Sequence, residues 1–166
     1  MTAPVIANTY GQLFGNPSAA LTEFACADGT HITDLVTTTD GTRVGSIQIK
    51  CSDGKTSPVF GKAVGTPTNQ NYADANFNLQ SIYGSYDSTG ITKFGFADNE
   101  GEPRQIFQLL NYPPFGNTAA ATNIYNTCPV PAFMTGGKSQ LIGLKAGGIN
   151  SVEAVQPICY ERKCNA

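Results

Sequence analysis

Tryptophan is absent from the 166-residue sequence, and histidine occurs only once, at His31. Only 13% of the residues are charged, and the formal net charge is -2. Lysine and arginine do not cluster as they do where proteins bind phosphates, so we expect no nucleic-acid partner. A single histidine also argues against a mixed Cys/His metal site. We therefore expect neither a metal nor another cofactor.

Long apolar runs are absent too, and none approaches the length of a membrane span. Insertion into a membrane is therefore not expected. Residues 1–15 lack the charged start and apolar centre of a secretory signal peptide. The sequence contains no G-x-S-x-G, H-E-x-x-H or P-loop motif. We predict that the protein is not an enzyme.

Turn-forming residues are abundant, with 18 glycines and 10 prolines. They separate short apolar stretches, a pattern typical of antiparallel sandwiches, barrels and prisms. A chain of 166 residues is long enough to bury one full core. The sequence therefore predicts an all-β fold and a single domain over residues 1–166.

A two-strand pattern occurs three times along the chain. The copies cover residues 31–54, 79–101 and 141–160. Alignment of the copies on Val44, Ile91 and Val152 predicts one supersecondary unit that is used three times. The remaining strands are predicted in residues 13–25, 58–80 and 105–135. Each unit then becomes a four-stranded antiparallel sheet, and three sheets enclose one core. A sandwich of unrelated hairpins is the alternative.

The five cysteines show no C-x-x-C spacing. We predict disulfides Cys26–Cys51 and Cys128–Cys159, each joining the start and the end of one unit. The second copy lacks both cysteines, which agrees with pairing inside units. Cys164 would be free or would link two chains. Disulfides indicate an oxidising compartment, so we expect a secreted or extracellular protein. Five reduced thiols in a cytosolic protein are the alternative.

Three stretches, taken in order, resemble the jacalin-related lectins. They are "YGQLFGNPSAALTEF", "ITDLVTTTDGTRVGSIQIKCSDG" and "LIGLKAGGINSVEAVQPIC". The resemblance implies a β-prism of three four-stranded Greek-key sheets with pseudo-threefold symmetry. It also implies a lectin for cell-surface or cell-wall glycans of the mannose/glucose or galactose type, and it is compatible with a homo-oligomer. A structural or interaction β-prism protein of an extracellular coat, without sugar binding, is the alternative.

The same resemblance places a sugar site at glycine-rich loops at one end of the prism. The candidate residues are Gly15, Asn16, Asp87, Ser88, Gly147, Gly148, Ile149, Asn150, Ser151 and Glu153. A carboxylate accepts hydrogen bonds from sugar hydroxyls, loop N–H groups donate to them, and glycine permits close approach. Ordinary turn residues with a solvated glutamate are the alternative.

This sequence departs from the family pattern inside that site. Sugar-binding members usually carry Gly-Gly where Gly15-Asn16 stands, and aspartate where Glu153 stands. The loop before Glu153 is therefore shifted by one residue or reshaped. Asp40 and Asp87 lie in turns of the first two copies, where aspartate usually supports the turn itself. One main site is expected.

Overall fold

The computed structural model describes residues 5–72, 79–98, 115–116, 122–128 and 140–163. Cys164, which was predicted to be free or to link chains, lies outside them. The described residues form thirteen β-strands. None of these residues forms a helix long and apolar enough to cross a membrane.

The strands range from 2 to 10 residues, and the longest form the three hairpins. They are β1 (Val5–Tyr10), β2 (Phe14–Gly15), β3 (Thr22–Ala25), β4 (Ile32–Thr39), β5 (Val44–Cys51), β6 (Phe60–Gly61), β7 (Pro67–Asn71), β8 (Leu79–Asp87), β9 (Gly90–Asp98), β10 (Phe115–Gly116), β11 (Thr122–Thr127), β12 (Gln140–Gly147) and β13 (Ala154–Lys163).

These strands form three antiparallel sheets of one design. The first sheet has the order β6-β5-β4-β7, and the second has the order β10-β9-β8-β11. In the third sheet, β1 and β2 both pair with β13, β13 pairs with β12, and β12 pairs with β3. Three sheets built on the three hairpins confirm the predicted fold. The fifth strand, β1, was not predicted.

A Phe-Gly pair forms the short strand of every sheet. Phe14–Gly15 pairs with β13, Phe60–Gly61 with β5, and Phe115–Gly116 with β9. Phe14 and Phe60 are buried in the shared core. The identical pairs are a repeat signal that the hairpin alignment missed, because they lie outside the hairpins.

The hairpins meet at the residues on which the copies align. The Val152 N–H donates to the Val44 carbonyl (3.1 Å), and the Ile91 N–H donates to the Val152 carbonyl (2.9 Å). All three side chains are fully buried. The three residues that the alignment predicts to be equivalent therefore lie around one pseudo-threefold axis, where the sheets contact one another.

Both predicted disulfides are present, but they join neighbouring sheets rather than the ends of one unit. Cys26 follows β3, and its N–H donates to the Ile142 carbonyl of β12, so it belongs to the third sheet. Its partner Cys51 ends β5 of the first sheet. Likewise, Cys128 follows β11 of the second sheet, whereas Cys159 lies in β13 of the third. The predicted location was wrong because each outer strand pairs with a different hairpin.

The remaining sheet junction is packed by a tyrosine. Tyr72 follows β7, and its N–H donates to the Thr33 carbonyl (2.7 Å). At the other two junctions, the N–H groups of Cys26 and Cys128 likewise donate to a carbonyl of the neighbouring strand. Its ring is fully buried and lies 5.5 Å from the Phe96 ring, centroid to centroid. The Phe96 N–H donates to the Tyr72 hydroxyl (3.2 Å). Aromatic packing thus takes the place that a disulfide has at the other two junctions.

Candidate functional site

The turns of the three hairpins lie at one end of the molecule. The first turn is residues 40–43, the second is residues 88–89, and the third is residues 148–153. The Arg43 guanidinium donates to the Thr89 carbonyl (3.3 Å), which joins the first turn to the second. The Ile91–Val152 hydrogen bond (2.9 Å) joins the second hairpin to the third. Groups that are distant in sequence are therefore neighbours at this end.

The third turn is organised by Glu153. Its N–H donates to the Gly147 carbonyl (2.8 Å), which closes the backbone of the turn. Its Oε2 atom accepts a hydrogen bond from the Ile149 N–H (2.8 Å). Glu153 is half-buried, Ser151 is buried, and Asn150 is exposed. The carboxylate is therefore held at the rim of the sheet.

The opening loop packs against this turn. The Asn16 N–H donates to the Glu153 carbonyl (2.9 Å). Gly15 has a φ of 101°, and a Cβ atom there would lie 2.3 Å from the same carbonyl oxygen. Only glycine combines this left-handed backbone with such a close approach. The structure thus brings Gly15 and Asn16 beside Glu153, as the resemblance implies.

A cleft of about 350 Å³ lies beside the opening loop. Its described lining is Gly15, Asn16, Pro17, Tyr86, Asp87, Ser88 and Thr122. The predicted residues therefore fall into two adjacent groups, Glu153 with its turn and Asp87 with Ser88, and the opening loop touches both. Sequence reasoning omitted Pro17 and Thr122 from the site, and no motif in the sequence marks them.

Tyr86 gives the cleft an aromatic wall. Its ring packs against the Phe14 ring, with centroids 6.2 Å apart. The side chain is partly buried against the core and also lines the cleft. Tyr86 therefore covers the edge of the core and also presents part of its surface to the cleft.

The aspartate of the first turn stabilises that turn. Asp40 Oδ1 accepts hydrogen bonds from the Thr42 N–H (2.8 Å), the Thr42 hydroxyl (2.7 Å) and the Arg43 N–H (2.9 Å). These bonds, the Thr42 hydroxyl above all, lower the pKa of Asp40 to about 2. The expected turn chemistry is what the geometry shows.

Asp87 has the same arrangement in the second turn. Its Oδ1 accepts from the Thr89 hydroxyl, the Thr89 N–H (2.8 Å) and the Gly90 N–H (3.2 Å). The Thr89 hydroxyl is the main reason that the pKa of Asp87 is lowered. Asp87 thus supports its own turn, although it also lines the cleft.

Comparison with known proteins places this geometry in a fold. No protein-family model matches the chain, and no curated protein matches it in sequence. A mannose-binding jacalin-related lectin from Ananas comosus superposes with a TM-score of 0.62 at 16% identity, over 94% of this chain and 96% of that one. Calystegia sepium agglutinin gives 0.65 at 14% identity, over 98% and 99% of the two chains. Malaysian banana lectin gives 0.63 at 14% identity, over 94% and 97%.

These similarities establish the fold. The chain has the β-prism architecture of the jacalin-related lectins, which the sequence resemblance predicted. At 14–16% identity, the superpositions do not carry over the sugar-binding residues. The contacts of this chain itself therefore identify the residues of the candidate site.

Proposed function

We propose that the protein is a carbohydrate-binding lectin whose sugar site is formed by the third turn and the opening loop. One observation carries the proposal: the half-buried Glu153 carboxylate stands at the sheet rim, and the Gly15-Asn16 backbone lies against the same residue. An acceptor beside exposed backbone is the arrangement that pyranose hydroxyls require.

The third turn offers both kinds of hydrogen-bonding group. Glu153 Oε2 accepts from Ile149, whereas Oε1 has no hydrogen-bond partner among the described residues. The N–H groups of Asn150 and Ser151 likewise have no acceptor in the described part of the chain. Oε1 would accept hydrogen bonds from neighbouring hydroxyls, and these N–H groups would donate to sugar oxygens. The site therefore suits a neutral polyol better than an anion.

The cleft extends the proposed site. Tyr86, Asp87 and Ser88 line it together with Gly15 and Asn16 of the opening loop. A partly exposed tyrosine ring next to hydroxyl and carboxylate groups suits a sugar, which has an apolar face and a polar edge. A glycan held at Glu153 would continue over Asn16 into this cleft.

The two disulfides are compatible with an oxidising compartment, and cell-surface or cell-wall glycans are the proposed targets. A shallow rim site holds one sugar with a dissociation constant on the order of 1 mM, which is about -4 kcal/mol. Useful binding to a surface then requires several sites held together, as in an oligomer of this chain.

Calorimetric titration tests the proposal directly. The ligands are the methyl α-glycosides of mannose, glucose and galactose, and a glycan array is read in parallel. We expect one of the three to bind with a millimolar constant and the array to show glycans that end in that sugar. No heat with any glycoside and an empty array would reject the lectin and favour the β-prism of an extracellular coat.

A further inference from the structure

We infer that Arg43 is a positioning residue for the cleft: it holds the second turn against the first and balances the charge of Asp87, so that the cleft suits an uncharged sugar unit. The inference rests on the proposed function, because it concerns the sugar unit that follows the one at Glu153. Arg43 itself does not belong to the described lining of the cleft. It would therefore act on a ligand through the second turn.

The first turn fixes the backbone from which the Arg43 side chain extends. The Arg43 N–H donates to Asp40 Oδ1 (2.9 Å), and the Arg43 carbonyl accepts from the Asp40 N–H (3.3 Å). The Arg43 side chain is partly buried. Ordering a long cationic side chain costs conformational entropy, and a fixed backbone with partial burial lowers that cost. Arg43 is therefore prearranged to contact the neighbouring turn.

The second turn is held from two sides. On one side, the Arg43 Nη1 atom donates to the Thr89 carbonyl (3.3 Å). On the other side, the Ile91 N–H donates to the Val152 carbonyl of the third hairpin (2.9 Å). Residues 87–88, which line the cleft, come directly before Thr89. Loss of the Arg43 bond would therefore release one wall of the cleft on the side of the first turn.

Arg43 also sets the charge beside the cleft. Asp87 is exposed and lines the cleft, and its Oδ1 atom accepts the hydrogen bonds of its own turn. The Thr89 hydroxyl is the main cause of the lowered pKa of Asp87, and the positive charge of Arg43 contributes to it. Because the two charges are opposite and neighbouring, their fields partly cancel in the cleft. The cleft thus offers polar groups with little net charge, which suits a neutral sugar unit.

Calorimetric titrations of the parent chain, Arg43→Gln, Arg43→Lys and Lys55→Gln test the inference. Lys55→Gln is the matched control, because it removes the same charge just after β5, at the opposite end of the first hairpin. The ligands are the methyl α-glycoside of the sugar that binds at Glu153 and two series of disaccharides built on it, one disaccharide for each linkage. The second unit is neutral in one series. In the other it is the 2-amino-2-deoxy analogue, which is cationic at about pH 6.

On the parent chain we expect a neutral second unit to tighten binding on the order of fivefold, and the cationic disaccharide to bind no better. Arg43→Gln should remove that gain, leave the affinity for the methyl glycoside unchanged, and favour the cationic disaccharide on the order of threefold. Added salt should weaken this new preference. Arg43→Lys keeps the charge, so it should not acquire the preference, and Lys55→Gln should behave as the parent chain does.

Three results would overturn the inference and leave the lectin intact. They are a parent chain that gains nothing from a second unit, an Arg43→Gln variant with the same ratio of neutral to cationic affinity as the parent, and an equal loss of affinity for the methyl glycoside. The last would mean that Arg43 supports the whole end of the prism and not the cleft. If no methyl glycoside and no disaccharide binds to the parent chain, the lectin fails as well, so the two failures are distinguishable.

Discussion

The third turn and the two other turns use a carboxylate in opposite ways. Asp40 and Asp87 stand at the start of their turns and accept bonds from groups two and three residues ahead. Glu153 stands at the end of its turn and accepts a bond from Ile149, four residues behind it. An acid at the start accepts three bonds from its own turn on one oxygen, whereas the acid at the end accepts a single bond from its turn.

This difference indicates which carboxylate is the best candidate to bind a ligand. The sequence already favoured Glu153, since aspartates such as Asp40 and Asp87 in a turn usually support the turn itself. Three donors converge on one oxygen of each aspartate, and that stabilises a loop without any ligand. Of these three acids, Glu153 accepts the fewest bonds from its own turn, and its backbone carbonyl accepts a bond from a second segment, the opening loop.

The largest effect should come from breaking the contact between the opening loop and the third turn. In Gly15→Ala, the new Cβ would meet the Glu153 carbonyl oxygen at 2.3 Å, at a φ of 101°. We expect a loss of more than about 3 kcal/mol in the free energy of unfolding, because a backbone clash adds to the left-handed strain. Urea unfolding measures it.

Gly41→Ala is the control for strain alone. Gly41 has a φ of 91°, but a Cβ atom there would have no neighbour within 4 Å. It should cost only about 1 kcal/mol, the price of a left-handed alanine. Equal losses for the two variants would show that the opening loop adapts and that the contact with Glu153 is not rigid.

Glu153→Gln should give the next largest effect, on binding rather than on stability. Removing a charged acceptor costs roughly 1.5–3 kcal/mol for each hydrogen bond, enough to abolish a millimolar site. The melting temperature should change little, because the glutamine amide oxygen can still accept the Ile149 N–H. Glu23→Gln is the matched control, since the Glu23 carboxylate accepts from Tyr10 on the outer face of the third sheet. Sugar binding that survives in Glu153→Gln transfers the role to the cleft around Asp87.

Asp40→Asn should give the smallest effect, and it should depend on pH. The pKa of Asp40 is lowered to about 2, below the usual value, so ionised Asp40 stabilises the fold above about pH 4. That contribution is lost as the pH falls toward 2. Asp40 is exposed, so solvent screening keeps it small. Urea unfolding at pH 5 and pH 2 should show the parent and variant converging in acid. A constant difference would mean that the loss is not electrostatic.

Local patterns explain how much of the fold was predictable. Period-two alternation identified the hairpins, and the alignment on Val44, Ile91 and Val152 found the axis. Cysteines at equivalent strand ends gave the correct disulfide pairs. The sheet to which β3 belongs was not predicted. Its partner β12 lies near the other end of the sequence, and no local pattern indicates so distant a partner. Hence Cys26 was assigned to the wrong sheet.

The site was less predictable than the fold. Glycine and acidic residues in the third turn were visible, and the resemblance placed the opening loop beside them. The cleft was only partly visible: Asp87 and Ser88 were candidates, whereas Pro17 and Thr122 come from separate segments that no motif marks. The engagement of Glu153 by Ile149 was hidden as well, since it depends on how the residues between them fold back.

The third sheet has a consequence for how the protein is made. Its strands β1, β2 and β3 are synthesised first, yet β12 and β13, with which they pair, are the last of the thirteen to leave the ribosome. The first sheet is complete in β4–β7, so it has all its strands long before the third can assemble. Until β13 emerges, the buried ring of Phe14 and several strand edges stay uncovered, and such edges invite aggregation. Closure of the prism therefore waits for translation to pass residue 163, whatever the rate at which the individual hairpins form.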